Sequence, residues 1–396
     1  MSEFRTIREL CSVVADCPHS TPKWTANGKI VVRNNNIKHG RIDLSSPSYT
    51  DEEHFAQRIK RAKPQPGDII ITREAPIGDV GMIPENTECC LGQRMVLLRA
   101  DQSVCDNFYL LYSLQSLYVQ HQISWSEGTG TTVSNLRIPH LEQIRIPYLP
   151  LEQQTKISSV LRALEEKIEN NRRLNDNLQQ QAQAMYHERF ETVSPDDLPS
   201  GWRTVTLGEV ATISNKSFNP LKEPEILLEH YSIPAFDEAR FPVFELSTSI
   251  KSNKFIIDAS CFMISKLNPT TKRVWKPYCL TGNAVCSTEF IVYKAKDKTI
   301  TDFLYSVIDS SSFSDFMCSH VTGSTGSRQR TTPSDTLSYE LILPSEDELA
   351  EFQSLVSPMY AQIRINAIEN DRLKRLRDSL LPKLMSGEID VSAIQL

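Results

Sequence analysis

The chain has 396 residues and a mass of 45.0 kDa, more than one hydrophobic core usually serves, so two or more domains are expected. Its 40% hydrophobic and 23% charged content is that of a globular protein and excludes disordered and fibrous classes. A net charge of −6, taken over the whole chain, argues against the broad basic surface of a nucleic-acid binder.

No stretch of about 18 apolar residues offers a membrane span, and the start, Met1-Ser2-Glu3-Phe4-Arg5, lacks the pattern of a secretory signal. Nine cysteines, an odd count scattered among apolar neighbours, read as buried reduced thiols of a cytoplasmic protein. The pairs Cys11/Cys17 and Cys279/Cys286 lack zinc spacing, so no metal site is expected.

In chain order, Gly67-Asp68-Ile69-Ile70-Ile71-Thr72 predicts a turn and a strand, Met95-Val96-Leu97-Leu98 a second strand, and Phe108 to Leu117 a short helix. The glycine turn Gly128-Thr129-Gly130 follows. The proline-bearing stretch Ile146-Pro147-Tyr148-Leu149-Pro150 then leads into a long amphipathic helix. Its apolar seam takes Ile157, Leu164, Leu178 and Met185 at one position, Val160 and Leu174 at the next, and Leu161 and Ile168 beside them. Asn171 interrupts the seam. The segment Ser194-Pro195-Asp196-Asp197-Leu198-Pro199-Ser200-Gly201 is a turn-forming linker.

Beyond the linker the chain repeats itself. Phe4-Arg5-Thr6-Ile7 returns as Trp202-Arg203-Thr204-Val205, and Cys90 to Val96 as Cys286 to Val292. The strands recur at Phe255-Ile256-Ile257 and Glu289 to Tyr293, the short helix at Phe303 to Ile308, and the glycine turn at Gly323-Ser324-Thr325-Gly326. The second long helix opens with a Ser345/Glu348 capping box. At a shift of 195 in numbering, its seam reads Phe352, Met359, Leu373 and Leu380, then Leu355 with Leu376 three heptads on at the same position, then Val356 and Ile363, with Asn366 matching Asn171. A buried asparagine in a helical seam fixes register at a cost in stability.

The expected fold is therefore α+β. Globular segments at 1–148 and 194–343 are each followed by a helical region, at 149–193 and 344–396. The two helices pack against each other.

Catalytic signatures are missing. Gly323-Ser-Thr-Gly326 lacks the lysine of a phosphate loop, and no glycine fingerprint follows a strand. Asn268-Pro269-Thr270 lacks the second proline and aromatic of an amino-methyltransferase loop. Glu165-Glu166-Lys167, a nuclease-like triplet, lies on the helix without a partner acid. The expectation is a binding protein with no active site and no cofactor of its own.

Local charge tells more than the total. Lys23 to Arg73 holds ten basic and five acidic residues, and Lys251 to Lys298 holds nine and three. Cations there alternate with side chains that bond base edges or phosphates. The candidates are Arg33, Asn34, Asn35 and Arg73, then Arg94 in Leu91-Gly92-Gln93-Arg94. In the second half they are Lys266, Asn268, Lys272, Arg273 and Lys276, then Arg328 and Arg330 after the glycine turn. From Ile157 to Met185 a helix rises about 42 Å, close to a dozen base pairs of duplex.

Several passages carry a family resemblance. They are Pro66 to Val80 (PGDIIITREAPIGDV) with Leu91-Gly92-Gln93-Arg94-Met95, Ser265 to Pro269 with Lys272-Arg273-Val274-Trp275, Leu149-Pro150-Leu151-Glu152-Gln153-Gln154, and Leu376 to Glu388 (LRDSLLPKLMSGE). With these the chain resembles the DNA-specificity subunits of type I restriction–modification systems along its whole length. The resemblance implies two target recognition domains, each reading half of a split target in double-stranded DNA. The helices would form an antiparallel coiled coil with a pseudo-twofold repeat, acting as a ruler and docking methyltransferase subunits. Motor–nuclease subunits would join, and S-adenosylmethionine, ATP and magnesium would belong to the partners. The second helix entry, Leu343-Pro344-Ser345-Glu346-Asp347-Glu348, departs from the first. Two other readings remain: a coiled-coil adaptor that binds only protein, and the recognition part of another split restriction or methylation system.

Overall fold

The computed structural model describes residues 3–38, 40–125, 135–322, 329–392 and 394. The chain folds into two compact units: residues 1–167 with 373–396, and residues 168–372. These units do not follow the covalent segments expected from sequence. Both long helices, α1 (Leu151–Tyr186) and α2 (Glu346–Met385), contribute to each unit. No helix among the described residues is long and apolar enough to cross a membrane.

In the first unit, β1 (Cys11–Asp16), β2 (Ile69–Arg73) and β3 (Met95–Ala100) form an antiparallel core within a six-stranded sheet, with β3 between the other two. The run of isoleucines suits a strand buried on both faces. Ile69, Ile71, Val96 and Leu98 point into one cluster, Ile70, Met95 and Leu97 into another. Ile157 and Leu161 of α1 enter the first cluster, as do Leu384, Met385 and Val391 from the end of the chain.

The second unit repeats this scheme with β4 (Ala211–Ile213), β5 (Cys261–Ser265) and β6 (Phe290–Ala295). Here β6 lies between β4 and β5. Phe262, Ile264, Ile291 and Tyr293 face one cluster, Cys261, Met263, Phe290 and Val292 another. Ala182 and Tyr186 of α1 meet Phe352, Val356 and Tyr360 of α2 in the first of these.

Strand register corrects how the two halves align. Glu3 pairs with Tyr148 and Arg203 with Leu343, each closing a short ribbon. Thr6 with Glu9, and Thr206 with Glu209, then form capping boxes on the next turn. The start of the repeat thus equates Glu3 with Arg203 and Thr6 with Thr206, where the sequence match equates Phe4 with Trp202. Likewise Met95 pairs with Thr72 and Phe290 with Ser265, so Met95 corresponds to Phe290 and not to Ile291.

The seam also differs from expectation. Ile157, Leu161, Ile168 and Asn171 are buried on α1, as are Phe352, Val356 and Asn366 on α2. Leu174, Leu355 and Leu376, expected at the second seam position, are exposed. A globular face rotates with the true helical period of about 3.6 residues, so the stripe holding Leu161 and Ile168 displaces the strict heptad position.

Within the second unit α1 and α2 exchange a set of asparagine bonds. Asn171 Nδ2 donates to Asn370 Oδ1 at 2.9 Å and to Glu369 Oε2 at 2.7 Å. Asn366 Nδ2 donates to Asn175 Oδ1 at 2.8 Å. Asn370 Nδ2 reaches the Ile168 carbonyl at 3.3 Å, and Asn175 Nδ2 the Ile363 carbonyl at 3.4 Å. Partner numbers rise on one helix as they fall on the other, so these stretches run antiparallel. Asn171 and Asn366 bond each other's neighbours one turn away, Asn370 and Asn175, which the sequence reading did not single out.

All nine cysteines are free thiols, seven of them buried. Burial pushes the Cys11 and Cys89 thiols up to about 12.

Candidate nucleic-acid interface

One backbone framework recurs where the candidate residues gather. In the first unit the Arg73 amide donates to the Arg94 carbonyl at 2.8 Å, and the Leu136 amide to the Arg73 carbonyl at 3.0 Å. In the second the Lys266 amide donates to the Glu289 carbonyl at 2.9 Å, and the Thr331 amide to the Lys266 carbonyl at 3.1 Å. Each framework then turns through a left-handed residue before a proline, Ala75 at φ 42° and Asn268 at φ 49°. Such backbone is uncommon for a residue other than glycine and concentrates at functional turns. Lys266 thus stands where Arg73 stands, Glu289 where Arg94 stands, and Arg330 where Asn135 stands.

The carboxylate–guanidinium pair at this framework is built in reverse order in the two units. In the first, Glu74 on the turn is ion-paired with Arg94, Oε2 lying 3.1 Å from Nε, and accepts Asn135 Nδ2 at 2.7 Å, while its carbonyl accepts Asn34 Nδ2 at 2.9 Å. In the second, Glu289 accepts Arg330 Nε at 3.0 Å and Nη2 at 3.1 Å.

Most of the other cations are held by carboxylates or carbonyls. Arg73 is 11% exposed and binds Asp16 at 2.9 Å, the Leu136 carbonyl and Asn135. Lys272 binds Asp309 at 3.0 Å, Arg273 grips Asp237 at 2.6 and 2.9 Å, and Lys276 pairs with Asp302. Burial raises the Asp309 carboxyl above its ordinary range, and Lys272 opposes that shift. Outside the candidate set, Lys29 and Lys63 share Glu88 and hold its carboxyl down at about 2.

These partners explain why local charge counts mislead. Asp16 and Glu88 lie outside the Lys23–Arg73 window, and Asp237, Asp302 and Asp309 lie outside Lys251–Lys298. Folding brings them in.

Exposure singles out fewer groups. Arg33 is exposed, with its guanidinium 5.0 Å from the Trp24 ring centre, a cation–π contact, and Nη1 3.4 Å from Ser48 Oγ. Asn35 beside it is exposed. Arg94 keeps 56% of its side chain exposed despite the ion pair with Glu74. Lys266 is half-buried. Asn34 Oδ1 and Asn268 Oδ1 are buried atoms without a hydrogen-bond partner among the described residues. Arg328 and both glycine turns lie outside the described residues.

Glu74, Glu289 and Asn135 organise these clusters, yet the sequence reading missed their role. Glu74 stood in the quoted Arg73-Glu74-Ala75-Pro76 passage, but its partners Arg94 and Asn135 come from separate, later parts of the chain.

Residues 2–180 match the family model described as Type I restriction modification DNA specificity domain. The chain resembles type I specificity subunits, and the match to the family model falls in its first half. The MjaIX specificity subunit of Methanocaldococcus jannaschii is 25% identical over an alignment spanning 96% of this chain and 88% of that protein. The HindI specificity subunit of Haemophilus influenzae is 33% identical over 24% of this chain and 20% of its own length. Among solved structures, the type I restriction–modification S subunit from M. genitalium superposes with a TM-score of 0.57. That match is 18% identical and covers 96% of this chain and 95% of that one, a likeness of fold.

Proposed function

We propose that this chain is the non-catalytic DNA-specificity subunit of a type I restriction–modification complex. Each globular part reads one half of a bipartite duplex target. The long helices act as an antiparallel, pseudo-twofold coiled coil that sets the spacer and docks methyltransferase subunits, to which motor–nuclease subunits bind. S-adenosylmethionine, ATP and magnesium belong to those partners, and the complex works in the cytoplasm.

The observation that carries this reading is the duplicated framework at Arg73–Ala75 and Lys266–Asn268, with the same backbone bonds and different side chains. Two copies of one scaffold that differ in the groups they present suit two different half-sites. The asparagine bonds support the ruler. The seam shift that turns Asn171 into Asn366 also turns Asn175 into Asn370, so the Asn171–Asn370 bond maps onto the Asn366–Asn175 bond. The test is methylation mapping of the host genome with and without this gene. A bipartite motif that disappears with the gene supports the proposal, and methylation that is unchanged refutes it.

A further inference from the structure

We propose that Arg94 reads a guanine in the half-site of the first unit, with Glu74 as its positioning residue. This inference rests on the function proposed above and goes beyond it by naming a contact and the base it recognises.

Arg94 sits on a turn held from within. Gly92 lets that turn close on the neighbouring strand. Its amide donates to the Val32 carbonyl at 2.8 Å, and a Cβ there would fall 2.9 Å from the same oxygen. The buried Arg58 donates Nε to the Leu91 carbonyl at 2.7 Å and Nη2 to the Gly92 carbonyl at 2.9 Å. Arg94 itself is left-handed at φ 65°, and its carbonyl is fixed by the Arg73 amide.

On this rigid base, Glu74 Oε2 lies 3.1 Å from Nε, the side chain is 56% exposed, and no hydrogen bond among the described residues engages the outer edge of the guanidinium. That edge carries two parallel Nη donors. A planar two-donor fork matches the O6 and N7 acceptors of guanine in the major groove. It also matches a backbone phosphate, but the Glu74 carboxylate at 3.1 Å offsets the positive charge that a phosphate contact needs. A neutral pair of acceptors is the better partner. The carboxylate is itself steadied by Asn135, so the fork is oriented before DNA arrives.

The matching framework of the second unit presents its guanidinium differently. Arg330 spends Nε and Nη2 on Glu289, and Arg273 spends the same two groups on Asp237. The effect of Arg94 should therefore fall on one half-site.

The test uses the full chain assembled with its methyltransferase subunits and a library of randomised duplexes. If the wild-type complex selects no bipartite motif, the functional reading falls. If it does, Arg94→Gly, which suits the backbone, and Arg94→Lys, which keeps the charge, should each relax one G·C pair in one half-motif. Discrimination at that pair should drop about 10- to 100-fold. Glu74→Gln should relax the same pair and strengthen binding to unrelated duplex, steepening its salt dependence, with an unchanged melting temperature. An unchanged motif, a uniform loss across all sequences, or a change in both halves overturns the assignment.

Discussion

Gln154 offers a sharp test of why α1 begins where it does. Its side chain is fully buried. Oε1 accepts the Asp106 amide at 3.0 Å, and Nε2 donates to the Val104 carbonyl at 3.1 Å and the Leu149 carbonyl at 2.7 Å. Asp106 in turn caps the helix Asn107–Gln115 and accepts Ser158 Oγ at 2.5 Å. Replacing Gln154 by Leu keeps the volume but strands one amide and two carbonyls away from water. An orphaned buried group costs about 1–3 kcal/mol, and the carbonyls retain part of their solvation, so the loss should total about 2–4 kcal/mol. With a urea slope of roughly 2–3 kcal/mol/M, the transition of the first unit should fall by about 1 M. Hydrogen exchange at the amides of residues 106–110 should accelerate with it. The matching position on α2 is Leu349, also buried but apolar, and there the reverse change, Leu349→Gln, should destabilise by a similar amount. A shift below roughly 0.3 M for Gln154→Leu, with exchange unchanged, would refute the reasoning.

Three further outcomes are expected. Arg58 donates to the carbonyls of Leu91, Ser20, Pro18 and Gly92, and burial lowers its pKa. Arg58→Ala should therefore cost about 3 kcal/mol in denaturant titration, and a loss under about 1 kcal/mol would contradict that role. Asn171→Leu or Asn370→Leu alone should destabilise the second unit by about 1–3 kcal/mol. The double change should cost clearly less than the sum, and strict additivity in the cycle would count against a shared buried bond. Glu88, held at about 2 against an ordinary 4.5, stabilises the fold above 4.5 and loses that contribution as pH falls towards 2. In Glu88→Gln the fall in melting temperature over this range should be shallower, and a profile identical to wild type would exclude the effect.

The architecture was legible because duplication wrote each element twice. The isoleucine run at 69–71 and the Phe290–Tyr293 run are strands whose side chains alternate between two cores, so they read as continuous apolar stretches. Alignment of the two halves was less legible. At the start, Arg5-Thr6 matches Arg203-Thr204 by identity, while strand pairing and the capping boxes equate Thr6 with Thr206. Helical seams showed a similar limit. Heptad spacing counted Leu174 and Leu376 as core, but a helix packed on a globular unit turns its buried stripe towards Leu161, Ala182 and Tyr186.

The candidate site was harder to read because charge along a chain is not charge in space. Arg73, Lys272, Arg273 and Lys276 looked like free cations in sequence, and each is met by a carboxylate from a distant part of the chain: Asp16, Asp309, Asp237 and Asp302. What survives folding as an exposed donor depends on how many of a guanidinium's edges those carboxylates consume. Arg273 and Arg330 are hydrogen-bonded through two nitrogens, and Arg94 is only ion-paired, nearest at Nε. A composition window assigns all three the same unit charge. The difference lies in how many donors of the guanidinium a carboxylate engages, and Arg94 projects from a left-handed turn that backbone bonds hold in place.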